Sequence, residues 1–115
     1  ESEIGKAEFL ETTADLFHVE QCLVVHGRIE EVLSEQSAIT PKTLVARALG
    51  KVDKIYDWSR KCSTWNKMVL FKSRGWEEEW SDAQRNKLDK KLTVTQIDDY
   101  SDASRNRRIV VLEKK

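Results

Sequence analysis

Apolar residues recur at helical spacing through most of the chain. At about 100° per residue, Phe9, Leu10, Leu16 and Phe17 share one side of a helix, with Glu8, Glu11 and Asp15 opposite. From Cys22 onward the stripe changes side: Cys22, Val25, Ile29, Val32 and Leu33 cluster where the acidic residues had been. The spacing predicts helix over residues 3–35, either one helix sandwiched at its middle or two kinked near His18. The stretch SEQSAITP then breaks the pattern, and Thr40 before Pro41 makes a good helix start. In the next helix Leu44, Val45, Ala48, Leu49, Val52, Ile55, Tyr56, Ser59 and Cys62 form one broad apolar face. A continuation through Trp65, Met68 and Val69 is expected to end at KSRG, residues 72–75. Trp76, Trp80 and Ala83 stripe a further helix, and Ser81 with Gln84 fits a capping box at which it could restart.

The tail has a different character. LTVTQI and RRIVVLEKK are rich in β-branched residues and flank the polar turn-former cluster DDYSDASRN. This reads as a β-hairpin or as a flexible basic tail. The expectation is one mainly α domain, a compact bundle of three to five helices with room for a small C-terminal β-hairpin. It divides into an acidic helical region over 1–36, basic tryptophan-containing helices over 40–92, and the hairpin or tail over 93–115.

Charge sharpens that division. The 115 residues balance 20 basic against 20 acidic side chains. Residues 1–36 hold nine acids and two bases, leaving eleven acids and eighteen bases for the rest. A bulk basic character is therefore excluded, while two faces of opposite sign are not. No apolar run reaches the roughly 18 residues of a membrane span, so a soluble chain without membrane contact is expected. Its two cysteines decide neither compartment; the cytoplasm or nucleus is slightly favoured, and a chain that begins at Glu1 leaves an exported mature form open.

Candidate chemistry is sparse. His18, Cys22 and His26 stand at i, i+4 and i+8, but a helix rises about 1.5 Å per residue, which puts the two histidine backbones roughly 12 Å apart. Three bonds of about 2.0 to 2.3 Å to one ion do not fit that span, so no metal site is assigned. Cys22 and Cys62 each lie on the apolar face of their predicted helix. They are expected to be core neighbours, either a disulfide closing a loop of about 40 residues or two buried thiols. Cys22 sits among apolar and acidic neighbours, a poor setting for a nucleophile. Asp98, Asp99 and Glu77 to Glu79 read as solvated charges, and there is no Walker loop or G-x-G-x-x-G. These observations predict no enzyme and no cofactor.

What remains is a surface. Arg47, Lys51, Lys54, Trp58 and Lys61 fall in one sector of the second predicted helix, and Trp65 joins them if that helix continues. With Trp76 and Trp80 they form a candidate partner-binding face, since tryptophan is enriched at interface hot spots. The first reading is a non-enzymatic binding module acting on a protein partner as an adaptor, inhibitor or assembly subunit; the opposed stripes of the first helical region also allow a homodimer. The alternative is a small nucleic-acid-binding regulator using Arg47, Lys51, Lys54, Arg105, Arg107 and Arg108 on phosphates. TLVARALGKVDKIYDWSRK, residues 43–61, resembles helix-turn-helix proteins in its Leu-Gly break followed by a helix with spaced isoleucine and tryptophan. That resemblance implies a recognition helix, and a hairpin after it would resemble a winged-helix wing carrying Arg105, Arg107 and Arg108. The sequence departs from the pattern where Lys51-Val52-Asp53 sits one residue out of step with the usual turn.

Overall fold

The computed structural model describes residues 1–34, 38–103 and 105–115. Residues 35–37, at the predicted end of the first helical region and inside the SEQSAITP break, and Ser104 in the predicted tail turn lie outside the described residues.

The architecture is mixed α/β. After α1 (Ile4–Leu16) and the short α2 (Ile29–Val32) come β1 (Thr43–Arg47), α3 (Val52–Ser59), β2 (Lys67–Lys72), α4 (Trp76–Arg85), a 3-10 turn (Leu88–Lys90), β3 (Leu92–Asp102) and β4 (Arg105–Lys114). The four strands form one sheet in the order β1-β2-β4-β3. β1 and β2 are parallel, with Leu44 opposite Met68 and Arg47 opposite Phe71. β4 runs antiparallel to both of its neighbours, and β3 carries a register irregularity between Val94 and Gln96. This is a Rossmann-like sheet with an antiparallel strand inserted toward one edge, and the helical-bundle expectation is overturned.

The physical reason lies in short apolar runs, which helical and strand periods fit equally well. Thr43-Leu44-Val45 and Met68-Val69-Leu70-Phe71 are rich in residues that suit a pleated surface, and they pair as a parallel βαβ unit. The apparent unbroken helix over 44–62 is a strand, a turn and a helix. Ala48 at φ 54° and Gly50 at φ 152° turn the chain between them, so the region is not a helix-turn-helix. The stripe's change of side after Phe17 marks the end of α1 rather than a kink. His18 and Gln21 take left-handed backbone angles, and residues 22–26 lie in neither helix nor strand. The helical premise for aligning His18, Cys22 and His26 is gone, and no group of three or more His, Cys, Asp or Glu among the described residues could hold a metal ion. α4 starts at Trp76 and passes straight through Ser81.

One face of the sheet carries the core. Val52, Ile55, Trp65, Met68, Leu70, Trp76, Ala83, Leu92, Val110 and Leu112 are all buried, joining α3 and α4 to the strands. Trp65 is the largest of the fully buried side chains. Its indole N–H donates to the Ser59 carbonyl at 2.9 Å, the Lys114 ammonium lies 4.0 Å from its ring centroid, and Tyr56 meets it edge-on. Ser59, itself buried, donates its hydroxyl to the Ile55 carbonyl at 2.7 Å. By contrast α1 buries only Ala7 and leaves Phe9, Leu16 and Phe17 exposed. No helix among the described residues is long and apolar enough to cross a membrane.

Candidate functional site

In open α/β sheets, ligands bind outside the carboxyl ends of the parallel strands. Here β1 and β2 end on the same edge. β3, antiparallel to a strand that is itself antiparallel to β2, ends there too. The edge is built from the turn after β1, the turn after β2 and the far end of the β3–β4 hairpin.

Polar contacts fasten the first turn. Glu79 on α4 accepts the Val52 backbone N–H at 2.9 Å, filling the role of the missing side-chain cap on α3, and pairs with Lys72 at 2.9 Å. Lys72 also donates to the Gly50 carbonyl at 2.8 Å. The Lys72 and Glu79 side chains are only 13% and 16% exposed, so the pair is desolvated and each member depends on the other. Glu79→Ala is expected to cost about 2–4 kcal/mol in a denaturant unfolding titration, because it strands the Lys72 ammonium and frees a helix N–H together. Ala48 holds a left-handed backbone angle without being glycine, local strain of the kind that clusters at ligand-binding turns.

Two cavities open along this edge. The first, about 490 Å³, is walled by Leu23, Val25, Ile29, Leu33, Leu49 and Trp58, with Glu1 and Glu30 also lining it. The residues before α1 are bound into this wall. The Glu1 backbone nitrogen donates to Val25 O at 3.1 Å and its carbonyl accepts from Gly27 N–H at 2.8 Å, the hydrogen-bond pattern of a parallel pair. Beside them a ring nitrogen of His26 lies 3.0 Å from Ser2 O. The Glu1 carboxyl is held below the ordinary carboxylate range by the Glu3 backbone N–H it accepts. Glu30 is lowered by its own backbone N–H and then by Arg28, 3.1 Å away. Both are therefore carboxylates at neutral pH.

The second cavity, about 520 Å³, is polar. Ser73, Arg74 and Glu77 border it from the β2–α4 side, and Asp99, Tyr100, Asn106, Arg107 and Arg108 from the hairpin. Arg108 donates to Asp99 at 2.6 Å and also to Glu77, which pins the hairpin to α4. Those bonds hold both carboxyls below their ordinary range and push the guanidinium further up.

The residues expected to share one surface are dispersed. Arg47 is exposed at the end of β1, Lys51 precedes α3, and Lys54 and Lys61 are exposed on and just beyond α3. Trp58 lines the first cavity, half-buried, whereas Trp65 and Trp76 are core residues and Trp80 stacks on Trp76 at 5.7 Å. Arg107 and Arg108 line the second cavity, and Arg105 is exposed at the start of β4. Cys22 is exposed and Cys62 buried, both free; with Cys22 outside any helix, the seam expected to bring them together does not form. Glu1, Ile29, Leu49, Lys72 and Glu79 went unnoticed as site residues. The signal for Leu49 is a strand-turn-helix reading of TLVARALGKVDK, with its glycine at the turn; the other four have no local signal.

The sheet order, the parallel β1-α3-β2 unit and the cavities at its carboxyl edge together define a Rossmann-like domain of the methyltransferase type. The family model for GidB, rRNA small subunit methyltransferase G, matches residues 1–110, and the chain belongs to that family. The fold is similar to that of an uncharacterized protein from Listeria monocytogenes serotype 4b, with a TM-score of 0.74 at 19% identity, over 100% of this chain and 49% of that one. It is also similar to TrmN from Thermus thermophilus, at TM-score 0.69 and 10% identity, over 100% of this chain and 35% of that one. A third similar structure is a Streptococcus pneumoniae protein designated a candidate tRNA methyltransferase, in complex with S-adenosyl-L-methionine; the TM-score is 0.68 at 13% identity, over 97% of this chain and 51% of that one. Identities this low establish the shared fold alone, and the chain spans between about a third and about half of the length of these structures. No curated protein matches the sequence.

Family membership overturns the non-enzymatic binding module and its helix-turn-helix alternative. It gives no support to the protein partner or the homodimer. Membership of a methyltransferase family is compatible with the absence of a catalytic motif in the sequence. Moving a methyl group from an activated donor needs the two reactants held in line, and the protein need not supply a nucleophile of its own.

Proposed function

We propose that this chain forms one wall of the cofactor site and the substrate-facing edge of an S-adenosylmethionine-dependent RNA methyltransferase. The observation that carries the reading is the cavity beside the carboxyl end of β1, apolar on its walls and lined by two carboxylates, in a chain of a methyltransferase family. The solved complex of a structurally similar protein with S-adenosyl-L-methionine supports the choice of cofactor. Two descriptions support RNA as the methyl acceptor: that of the family, which is of an rRNA methyltransferase, and that of the similar protein, a candidate tRNA enzyme.

The donor set suits that cofactor. Ile29, Leu33, Leu49 and Trp58 offer an apolar slot for a planar base. The Glu1 carboxylate is an acceptor for sugar hydroxyls, and Glu1 with Glu30 places negative charge where a cationic ligand would be favoured. When bound, S-adenosylmethionine supplies an electrophilic methyl group on a sulfonium. The chain's own part is to orient and to hold. Lys72 and Glu79 fix the turn that presents Leu49, and the Glu1 pairing fixes the wall opposite.

Incubating the protein with S-adenosylmethionine labelled in its methyl group and with small-subunit ribosomal RNA should transfer label to the RNA. Transfer to protein substrates with none to RNA would refute the reading.

A further inference from the structure

We propose that the polar cavity at the hairpin end is the seat of a single-stranded RNA segment, with Tyr100 stacking on a base and Arg74 and Arg107 holding its phosphates. This rests on the reading of the chain as an RNA methyltransferase. The three residues come from two elements, Arg74 from the β2–α4 turn and the other two from the hairpin, yet all line one cavity of about 520 Å³. Tyr100 and Arg107 are direct cross-strand partners, so their side chains leave the hairpin on the same face. Tyr100 is 39% exposed, an aromatic presented to solvent rather than consumed by the core.

The charge in the cavity divides into two kinds. Arg108 is committed to Asp99 and Glu77 and acts as a positioning residue, holding the hairpin against α4. Arg74 and Arg107 take part in no ion pair among the described residues, and their charge is available to a ligand. Cations beside an accessible aromatic ring, with the neutral hydrogen-bonding groups of Ser73 and Asn106 around them, suit a strand whose bases are free to stack. A duplex hides its base faces and offers Tyr100 nothing to stack upon. The cavity opens on the same sheet edge as the cofactor wall, which places an RNA strand bound there alongside the site of transfer.

The test is fluorescence anisotropy with a fluorescein-labelled, mixed-sequence single-stranded RNA and its duplex form, on the full chain, over a range of salt. Tyr100→Ala should weaken single-strand binding roughly tenfold, and Tyr100→Trp should restore it. Arg74→Ala and Arg107→Ala should each lower the slope of log affinity against log salt by about 0.7. Lys54→Ala, on the exposed side of α3, should change neither. The cavity assignment is overturned by wild-type affinity in the Tyr100 and arginine variants, by a loss confined to Lys54→Ala, by equal affinity for duplex, or by absence of single-strand binding in the wild type. Binding of S-adenosylmethionine, followed separately in every variant, should be unchanged. Cofactor binding retained while the RNA result fails removes the cavity assignment and leaves the cofactor reading standing.

Discussion

Trp58→Ala is expected to lower the affinity for S-adenosylmethionine roughly ten- to hundredfold in a calorimetric titration while leaving the fold intact. Trp58 is half-buried and lines the apolar wall with Leu49, so its indole is the largest flat surface offered to the cofactor's base. Truncating such an aromatic typically removes about 1.5–3 kcal/mol of contact, and each 1.4 kcal/mol is about tenfold in affinity. The ring also fills the space beside Gly50, 3.7 Å from where a Cβ would project, so its loss loosens the turn after β1 as well. Trp58→Phe should recover most of the affinity, because the requirement is for a flat apolar face and not for an N–H. An unchanged affinity in the alanine variant would remove Trp58 from the site.

Trp65→Ala, seven positions along the chain, should behave in the opposite way. Trp65 is 1% exposed, closes the core between Ser59 and Lys114, and satisfies its own N–H internally. Replacing it leaves a large cavity and takes away one of the two hydrogen bonds that the Ser59 carbonyl accepts, the Cys62 N–H remaining, at a cost of about 3–5 kcal/mol in chemical unfolding. Set against a total stability of about 5–15 kcal/mol, that brings the chain close to unfolding at ambient temperature. A loss below about 1 kcal/mol would show that Trp65 is not the keystone of the core. The two tryptophans thus separate ligand recognition from folding.

That separation was hidden in the sequence because both residues sit in one run of helically spaced apolar positions. Val52, Ile55, Tyr56 and Ser59 are helical, and there the stripe was read correctly. Leu44 and Val45 fit the same stripe by coincidence, since a five-residue strand ending before a turn leaves too short a run to betray its period of two. Met68 to Phe71 is an unbroken apolar run, so the alternation of buried and half-buried positions along β2 has no counterpart in residue type and the run fits a helix as well. The hairpin was easier. β3 and β4 are long, β-branched and flank an obvious turn cluster, and their pairing from Leu92–Lys114 to Asp102–Arg105 requires no long-range partner to recognise.

The site was less legible than the fold. Glu1, Ile29 and Leu49 meet in one cavity although 20 to 48 positions separate them, and their convergence depends on the backbone pairing of Glu1 with Val25 and Gly27. The basic residues are visible as charges, but the sequence does not separate Arg108, occupied by Asp99 and Glu77, from Arg107, which forms no ion pair among the described residues. On the proposed reading, little trace of the kind that triads and metal clusters leave is expected, because the chemistry of methyl transfer resides in the donor and the protein contributes shape.

The central claim, that the cavity at the carboxyl end of β1 holds the cofactor, is tested most directly by titrating S-adenosylmethionine into isotope-labelled protein and following backbone and indole N–H resonances. The expected result is progressive, saturable shifts at Gly27, Arg28, Ile29 and Leu49 and at the Trp58 indole, with the Trp65 indole and the hairpin amides unmoved. Shifts centred on the hairpin or on α1, or no saturable shifts at all, would contradict it.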